Sequence, residues 1–423
     1  MNTPAVRFIV GAIKVCVLLL AAVGTARADD WMDNLDESLR VSFFKGAITA
    51  QLSGLVDMEG YYIQQPTTAL YQEGGNYLLN PRLTVNLDVQ ITPAIYAFVE
   101  TRVDRGFDPA DRDLRTRMDQ YAIRYKPLSE VPVEIQVGKF ASVVGTYSER
   151  YDSWDNPFIN APLPYENLTA AYDRSVPISA AQFVSWRYET DDVYERVPIM
   201  WGPSYASGIA LFGQLGDQVD LAAEAKNASI SSRPGSWNPN SEGLDHPTWS
   251  GHADWRPSPT WRFGLSGSIG PYLLPNLDFD GVTSSMPVIP KGRSRDDYAQ
   301  TTVAQDITFA WRHWQIWAEC FESRFDVPRT GNADTLAYYI EAKYKFTPQF
   351  FGALRWNEQL FSTIPIGGGQ SEQWGNDIWR IDAALTYRWT DRVQTKLQYS
   401  FTDQDLPGAR EEHLVAGQLT IRY

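Results

Sequence analysis

Apolar and polar residues alternate with a period of two along much of the chain, and this pattern limits the possible folds more than any other feature. Residues 82–91, 379–389 and 393–401 place apolar side chains at nearly every second position, with mostly polar ones between them. Because successive side chains of a strand point to opposite faces, each segment predicts a strand with one apolar and one polar face. We therefore predict an all-β fold.

The connections between these segments fall into two length classes. We count sixteen candidate strands, joined by short turns at 92–93, 127–131, 216, 256–260, 312, 347–348 and 390–391. Long connections occupy 64–76, 106–116, 141–203, 231–246, 271–296, 326–334, 361–375 and 402–410. Strict alternation of the two classes predicts a transmembrane antiparallel barrel with short periplasmic turns and long extracellular loops. Eighteen strands is the alternative, because Val184, Trp186 and Tyr188 alternate with polar residues inside 141–203.

The first 28 residues have the pattern of a cleaved export signal. Arg7 precedes an apolar stretch over 8–23, and residues 26–28, Ala-Arg-Ala, have the form of a signal-peptidase site. Lys14 interrupts the stretch, which leaves an apolar run too short for a transmembrane helix. We predict a signal peptide at 1–28, a periplasmic segment at 29–45 and the barrel at 46–423.

The composition of the remaining chain excludes several classes of protein. No apolar run is long enough for a membrane-spanning helix, which excludes a helical inner-membrane protein. Removal of the leader takes away three of the 37 basic residues and leaves 34 basic against 51 acidic residues. This excess of negative charge argues against nucleic acid as a partner. Cys320 is the only cysteine of the predicted mature chain, so an intrachain disulfide is not expected.

Aromatic residues cluster beside the predicted short turns and at the last position. They are Tyr125, Trp311, Tyr344, Phe346, Tyr387, Trp389 and Tyr423. Tyrosine and tryptophan are enriched where a membrane meets water, so the pattern favours a membrane barrel over a soluble two-sheet sandwich.

The last strand carries the resemblance to a known family. Val415, Gly417, Leu419, Ile421 and Tyr423 form one face of residues 415–423. Such a strand resembles the closing strand of Gram-negative outer-membrane barrels, and the chain is similar in architecture to the sixteen-stranded trimeric porins. The resemblance implies an outer-membrane location among lipid and lipopolysaccharide, and a possible homotrimer. It also implies that Leu419, Ile421 and Tyr423 form a signal for the barrel assembly machinery.

The third long connection, 141–203, is the longest, and we call it the third loop. In the porins that the chain resembles, this loop folds inward and narrows the pore; an outward lid with its own small core is the alternative. The predicted inward faces of strands two to four carry a basic set: Arg82, Arg102, Arg124 and Lys126. The third loop carries an acidic set: Glu149, Asp152, Asp155, Glu166 and Asp173. The resemblance implies that the two sets face each other across the narrowing, whereas charges paired with lateral neighbours are the alternative.

A barrel of about sixteen strands leaves an aqueous lumen, so we predict a passive channel for small hydrophilic solutes. A scaffold or sheath barrel for export or electron transfer is one alternative. A lipid-modifying enzyme is another, with a serine and a histidine on the outer wall, where we predict only His313 and His413 on strands. We expect no catalytic residues.

Aromatic and histidine residues suggest two further kinds of site. Tryptophans in or beside loops could stack on sugars, although packing in the aromatic belt and in loop cores is the preferred explanation, because such belts already account for many of them. The candidates are Trp154, Trp186, Trp201, Trp237 and Trp249. The four histidines lack zinc-ligand spacing with cysteine, and the chain has no haem-attachment motif. We expect no metal and no cofactor.

Overall fold

The computed structural model describes residues 39–64, 75–105, 114–128, 130–189, 196–234, 244–274, 277–279, 288–405 and 411–423. The predicted signal peptide at 1–28 and Trp237 lie outside these residues.

Sixteen antiparallel strands form one closed sheet in the described part of the chain. Each strand pairs with the next along the chain, and the last pairs with the first, from Leu55 opposite Arg422 to Ile63 opposite Leu414. The strands are β1 (Ile48–Ile63), β2 (Tyr77–Thr92), β3 (Ile95–Asp104), β4 (Arg115–Tyr125), β5 (Val133–Phe140), β6 (Ala206–Leu215), β7 (Val219–Lys226), β8 (Thr248–Ser258), β9 (Trp261–Pro271), β10 (Ala299–Trp311), β11 (Trp314–Val327), β12 (Gly331–Lys345), β13 (Phe350–Phe361), β14 (Ile378–Arg388), β15 (Val393–Gln404) and β16 (Glu412–Arg422). The prediction of a sixteen-stranded antiparallel barrel is confirmed.

The barrel is polar inside and apolar outside. In β14, for example, Arg380 and Asp382 are buried in the interior, whereas Ile381 and Leu385 are exposed on the outer surface. This is the reverse of a soluble protein and is the arrangement expected where the outer face contacts lipid. Several aromatic residues predicted beside the short turns are exposed on the outside: Tyr125, Trp311, Phe346, Tyr387 and Trp389.

The structure excludes one alternative for the connections and corrects the length of one predicted loop. The alternation at 184–188 does not form a hairpin: Val184 lies in a short helix, α2 (Ala180–Ser185), and Trp186–Tyr188 form a single 3-10 turn. Ser179 caps α2 by accepting a hydrogen bond from the Gln182 backbone, which favours helix over strand here. The connection predicted at 326–334 is only three residues long, because β11 and β12 extend to Val327 and from Gly331.

A few small elements accompany the barrel. Arg40–Phe43 form a short strand that pairs with the start of β1. The third loop contains a second short helix, α1 (Leu163–Glu166), and Thr363–Gly367 pairs with Gln370–Gln373 in a hairpin outside the barrel sheet. No helix in the described ranges is long and apolar enough to cross a membrane.

The later part of the third loop packs into an apolar core at the end of the barrel that carries the long loops. Trp186 stacks on Tyr172 with ring centroids 4.3 Å apart, and Phe183 stacks on Trp374 from the loop between β13 and β14. All four rings belong to one buried cluster with Phe325 of β11. This half of the loop therefore has the small core that an outward lid would have.

Candidate functional site

The first half of the third loop, residues 142–167, lies against the inner wall of the barrel, and we call it the inner segment. It starts beside β7 and β9. The Ser142 hydroxyl donates to Glu224 Oε1 at 2.7 Å, and the Gly145 backbone N–H donates to Ser266 Oγ at 3.1 Å. Both wall residues are buried, so these bonds fix the segment inside the sheet.

The inner segment then crosses to the opposite wall. Arg150 donates to Glu341 Oε1 at 2.7 Å and to the Tyr339 hydroxyl at 2.8 Å, both on β12. Ser153 donates to Asp57 of β1 at 2.9 Å, and its carbonyl oxygen accepts from Gln394 of β15 at 2.8 Å. The loop at Ser153 therefore contacts both β1 and β15, which lie near each other only because the barrel is closed.

The returning part of the segment follows β13 to β15 toward the long loops. The backbone N–H of Ile159 donates to Gln398 at 2.6 Å, and that of Leu163 donates to Asn357 at 3.2 Å. Glu166 forms a buried ion pair with Arg380 of β14. Burial raises the pKa of the Glu166 carboxyl, and the Arg380 guanidinium opposes that shift.

Two groups of buried charge face the inner segment. The first, on β1 to β4, consists of Arg82, Arg102 and Arg117 with Asp57, Glu59, Glu100, Asp104 and Asp119. A register shift in β4 points both Asp119 and Gln120 inward, since a β-bulge adds one residue to a strand. The second, on β12 to β14, consists of Arg355 and Arg380 with Glu341 and Asp382.

Each predicted basic residue has a defined place. Arg82 and Arg102 lie in the first charge group, where Arg82 bonds Asp57 at 3.1 Å. Arg124 is more open and donates to Gln136 at 2.7 and 3.0 Å. Lys126 lines a cavity of about 740 Å³ near the short turns.

The predicted acidic residues are spread around the lumen. Asp152 lies 3.7 Å from one of the four predicted basic residues, Arg102, and forms an ion pair with it. Glu149 instead binds Arg262 of β9 through two contacts of 2.7 Å, and Glu166 binds Arg380. Asp155 is exposed in a cavity of about 690 Å³ near the short turns.

Asp173 lies away from the other four acidic residues, beside the buried apolar cluster of the later part of the third loop. Its backbone carbonyl accepts a hydrogen bond from the Leu274 backbone N–H at 2.8 Å. Sequence reasoning did not identify the basic partners Arg150, Arg262, Arg355 and Arg380. Three of them could have been found, because Arg262, Arg355 and Arg380 occupy inward-facing positions in strands whose sequences alternate between apolar and polar residues. Arg150 lies in a part of the third loop that lacks this pattern.

The candidate sugar-stacking tryptophans have little free ring surface. Trp186 and Trp201 are buried, and Trp154 lies beneath the guanidinium groups of Arg388 and Arg422. Trp249 lies in β8 and faces outward, which suits a membrane belt.

The structure has measurable similarity to solved outer-membrane proteins. It matches the outer membrane channel DcaP of Acinetobacter baumannii with a TM-score of 0.56 and 10% identity, covering 90% of this chain and all of DcaP. It matches an anion-selective porin from Comamonas acidovorans with a TM-score of 0.54 and 9% identity, covering 89% and 100% of the two chains. The trimer form of OmpT, an outer membrane protein of Vibrio cholerae, matches with a TM-score of 0.52 and 9% identity, covering 89% and 99%.

This chain has the fold of an outer-membrane porin. No family model matches the sequence, and no curated protein does either. At such low identity the likeness shows the fold alone, and the function of the porin barrel has to be inferred from its own contacts.

The porin barrel closes at Tyr423. Its backbone N–H donates to Gly54 O at 3.1 Å, and the Gly54 N–H donates to Tyr423 O at 3.0 Å. The Tyr423 ring lies over Gly54, where a Cβ would overlap the ring and the Thr84 carbonyl. Glycine is therefore required opposite the last aromatic residue.

Proposed function

We propose that the protein is a passive outer-membrane channel for small hydrophilic solutes, with the third loop narrowing its lumen. One observation carries the proposal: the inner segment crosses the interior of a sixteen-stranded barrel and hydrogen-bonds to buried wall residues on both sides. A barrel of about this size would otherwise enclose an open aqueous channel. A crossing segment reduces that channel to the spaces left beside it.

The charges around those spaces support selection by charge and dipole. A cavity of about 80 Å³ lies between the inner segment and the wall, lined by Glu59, Arg82, Asp104, Arg117 and Glu166 among others. Fixed charges of both signs in a narrow, poorly hydrated space act strongly on a passing solute. We infer that the passage favours small polar solutes without a strong preference for anions.

The outer surface of the barrel supports a location in the outer membrane. Its apolar residues and aromatic rim fit lipid and lipopolysaccharide, and we propose Leu419, Ile421 and Tyr423 as the signal read by the barrel assembly machinery. OmpT has been solved as a trimer, and we propose the same assembly for this protein.

Deletion of residues 155–165 of the inner segment, bridged by a short Gly-Ser linker, tests the narrowing. The barrel should still fold, because its sheet is closed without the loop, and single-channel conductance in a planar bilayer should rise. Deletion of 363–373 is a control of equal length, because it removes a hairpin outside the barrel sheet. That variant should conduct like the unmodified protein.

The outcome that contradicts the proposal is unchanged conductance in a folded 155–165 deletion. Heat-modifiable gel migration reports folding of both variants, so a misfolded barrel would not be mistaken for a closed channel. If the control deletion raised conductance equally, the narrowing would lie in the loops at the end of the barrel and not in the inner segment.

A scaffold barrel with a plugged lumen is the second candidate. The observation in its favour is the packing of the inner segment, in which Tyr147, Phe158 and Tyr165 are each only 1% exposed. The same bilayer recordings separate the two functions: a plugged scaffold shows no steps in the unmodified protein and steps only after the 155–165 deletion.

A further inference from the structure

Three neighbouring strands bring one histidine and two aspartates together on the inner wall. Asp254 of β8 lies opposite Gly264 of β9, and Gly264 lies opposite Asp306 of β10. His252 is two residues before Asp254, so its side chain points to the same face. One ligand atom from each of the three side chains lies within 4.8 Å of the others.

The hydrogen bonds of His252 define which ring nitrogen faces the cluster. Nδ1 lies 2.8 Å from the Val143 carbonyl oxygen, at the start of the inner segment. A carbonyl only accepts, so Nδ1 carries a hydrogen, and in the neutral ring Nε2 keeps its lone pair. Nε2 lies 3.4 Å from Asp254 Oδ1 and 3.3 Å from Asp306 Oδ2.

Asp306 is buried and short of partners. The residue is 2% exposed, and neither carboxylate oxygen has a hydrogen-bond partner among the described residues. The same is true of His252 Nε2. A buried carboxylate is costly unless a cation or donors compensate it, so these two groups together favour the binding of a cation.

Gly264 makes the arrangement possible. A Cβ at this position would overlap the carboxylate of Asp306, which leans across the glycine toward β8. Any other residue would force Asp306 out of the row with Asp254. The glycine thus keeps two carboxylates of like charge close together.

We propose that His252 Nε2, Asp254 and Asp306 bind one divalent first-row transition-metal ion, with Zn²⁺ as the probe. One imidazole nitrogen with two carboxylates suits such ions. Arg262 is paired with both Asp254 and Glu149, so its positive charge is offset by Glu149, and the charges of Asp254 and Asp306 beside a neutral imidazole balance a divalent ion. Hydrated ions can reach the site, because His252 and Asp254 line the cavity of about 740 Å³ near the short turns.

Two neighbours act as positioning residues for the metal ligands. The Val143 carbonyl fixes the His252 ring, and Arg262 donates to Asp254 Oδ1 at 2.8 Å and to Oδ2 at 2.7 Å. Partners of this kind orient the ligands of protein metal sites. Since Val143 belongs to the third loop, the bound ion would also hold the base of that loop against the wall.

The test uses the full mature chain in detergent, freed of metal with a chelator and titrated with Zn²⁺. Calorimetry and elemental analysis should show one ion per chain, and Co²⁺ should give d–d absorption bands at the same stoichiometry. His252→Gln should weaken binding by about 100-fold or more, because loss of an orienting partner alone weakens metal sites roughly 10–100-fold. His413→Gln is the matched control, because His413 lies on the outer face beside Tyr399 and should leave binding unchanged.

Gly264→Ala gives a second, independent variant. It keeps all three ligands but displaces Asp306, so affinity should fall about 10–100-fold while heat-modifiable migration still shows a folded barrel. Absence of stoichiometric binding, or equal affinity in His252→Gln and the unmodified chain, overturns the proposal.

Discussion

The inner wall depends on arginines that are buried among carboxylates. Arg102 has a 2% exposed side chain and lies 2.9 Å from Glu100 and 3.2 Å from Asp119. Arg124 is 39% exposed and lies 3.6 Å from Glu134. Two residues of the same predicted basic set therefore have different roles, one structural and one open to the lumen.

Replacing Arg102 with glutamine should strongly destabilise the barrel. The change leaves Glu100 without its cation and Asp119 with Arg117 alone, and breaking a buried pair in this way costs about 3–5 kcal/mol. Arg124→Gln removes an exposed partner and should cost about 1 kcal/mol or less. Urea titration followed by heat-modifiable migration measures both; equal midpoints would show that Arg102 is not held in a buried network.

Sequence alternation predicted which residues face inward but not which residues they meet. It placed Arg82 and Arg102 on the inner wall, where they lie. It could not pair Glu166 with Arg380, because these residues are 214 positions apart and the path of the loop is set by tertiary packing. His252 was missed because only His313 and His413 were assigned to strands, whereas His252 lies in β8 and His313 lies in the turn after β10. The spacing of His252 and Asp254 on one strand face was the available signal.

At the scale of elements, the closing strand β16 depends on its last residue. Tyr423 contributes two backbone hydrogen bonds to Gly54 and covers that glycine with its ring. The sequence predicted that β16 is a strand because the apolar residues of 415–423 occur at every second position. Strand length was not predictable at β11 and β12, where Asp334 forms an ion pair with Arg324 across the hairpin and extends the pairing into the expected loop.

Deleting Tyr423 should lower the yield of assembled barrel in the outer membrane. The deletion removes the ring and both hydrogen bonds to Gly54, which weakens the seam between β16 and β1. Tyr423→Phe keeps the ring and the backbone bonds, so it should assemble normally. Surface yield and heat-modifiable migration provide the comparison; normal assembly of the deletion would show that the last residue is dispensable.

At the scale of the whole molecule, the seam between β1 and β16 turns a long sheet into a barrel. Val56 pairs with Ile421 across this seam, and both side chains face outward. Only a closed barrel brings these two residues together, because they are separated by almost the full length of the chain.

A cysteine pair should report that closure. In a Cys320→Ser background, Val56→Cys with Ile421→Cys should form a disulfide on oxidation, because opposed residues of antiparallel strands lie about 5.5 Å apart at Cα. Val56→Cys with Ile381→Cys is the control, since Ile381 lies on β14, beyond β15 and β16. Non-reducing gels should show a cross-link in the first pair only; cross-linking in neither pair would argue against closure between β1 and β16.

The path of the inner segment also has a consequence for the order of assembly. Ser153 bonds Gln394, 241 residues further along the chain, and also bonds Asp57 on the first strand. Contacts between residues so distant in sequence form late, since the entropy of closing long loops must be overcome first. The inner segment thus reaches its final position only when the last strands pair, at the same stage of assembly at which β1 and β16 close the sheet.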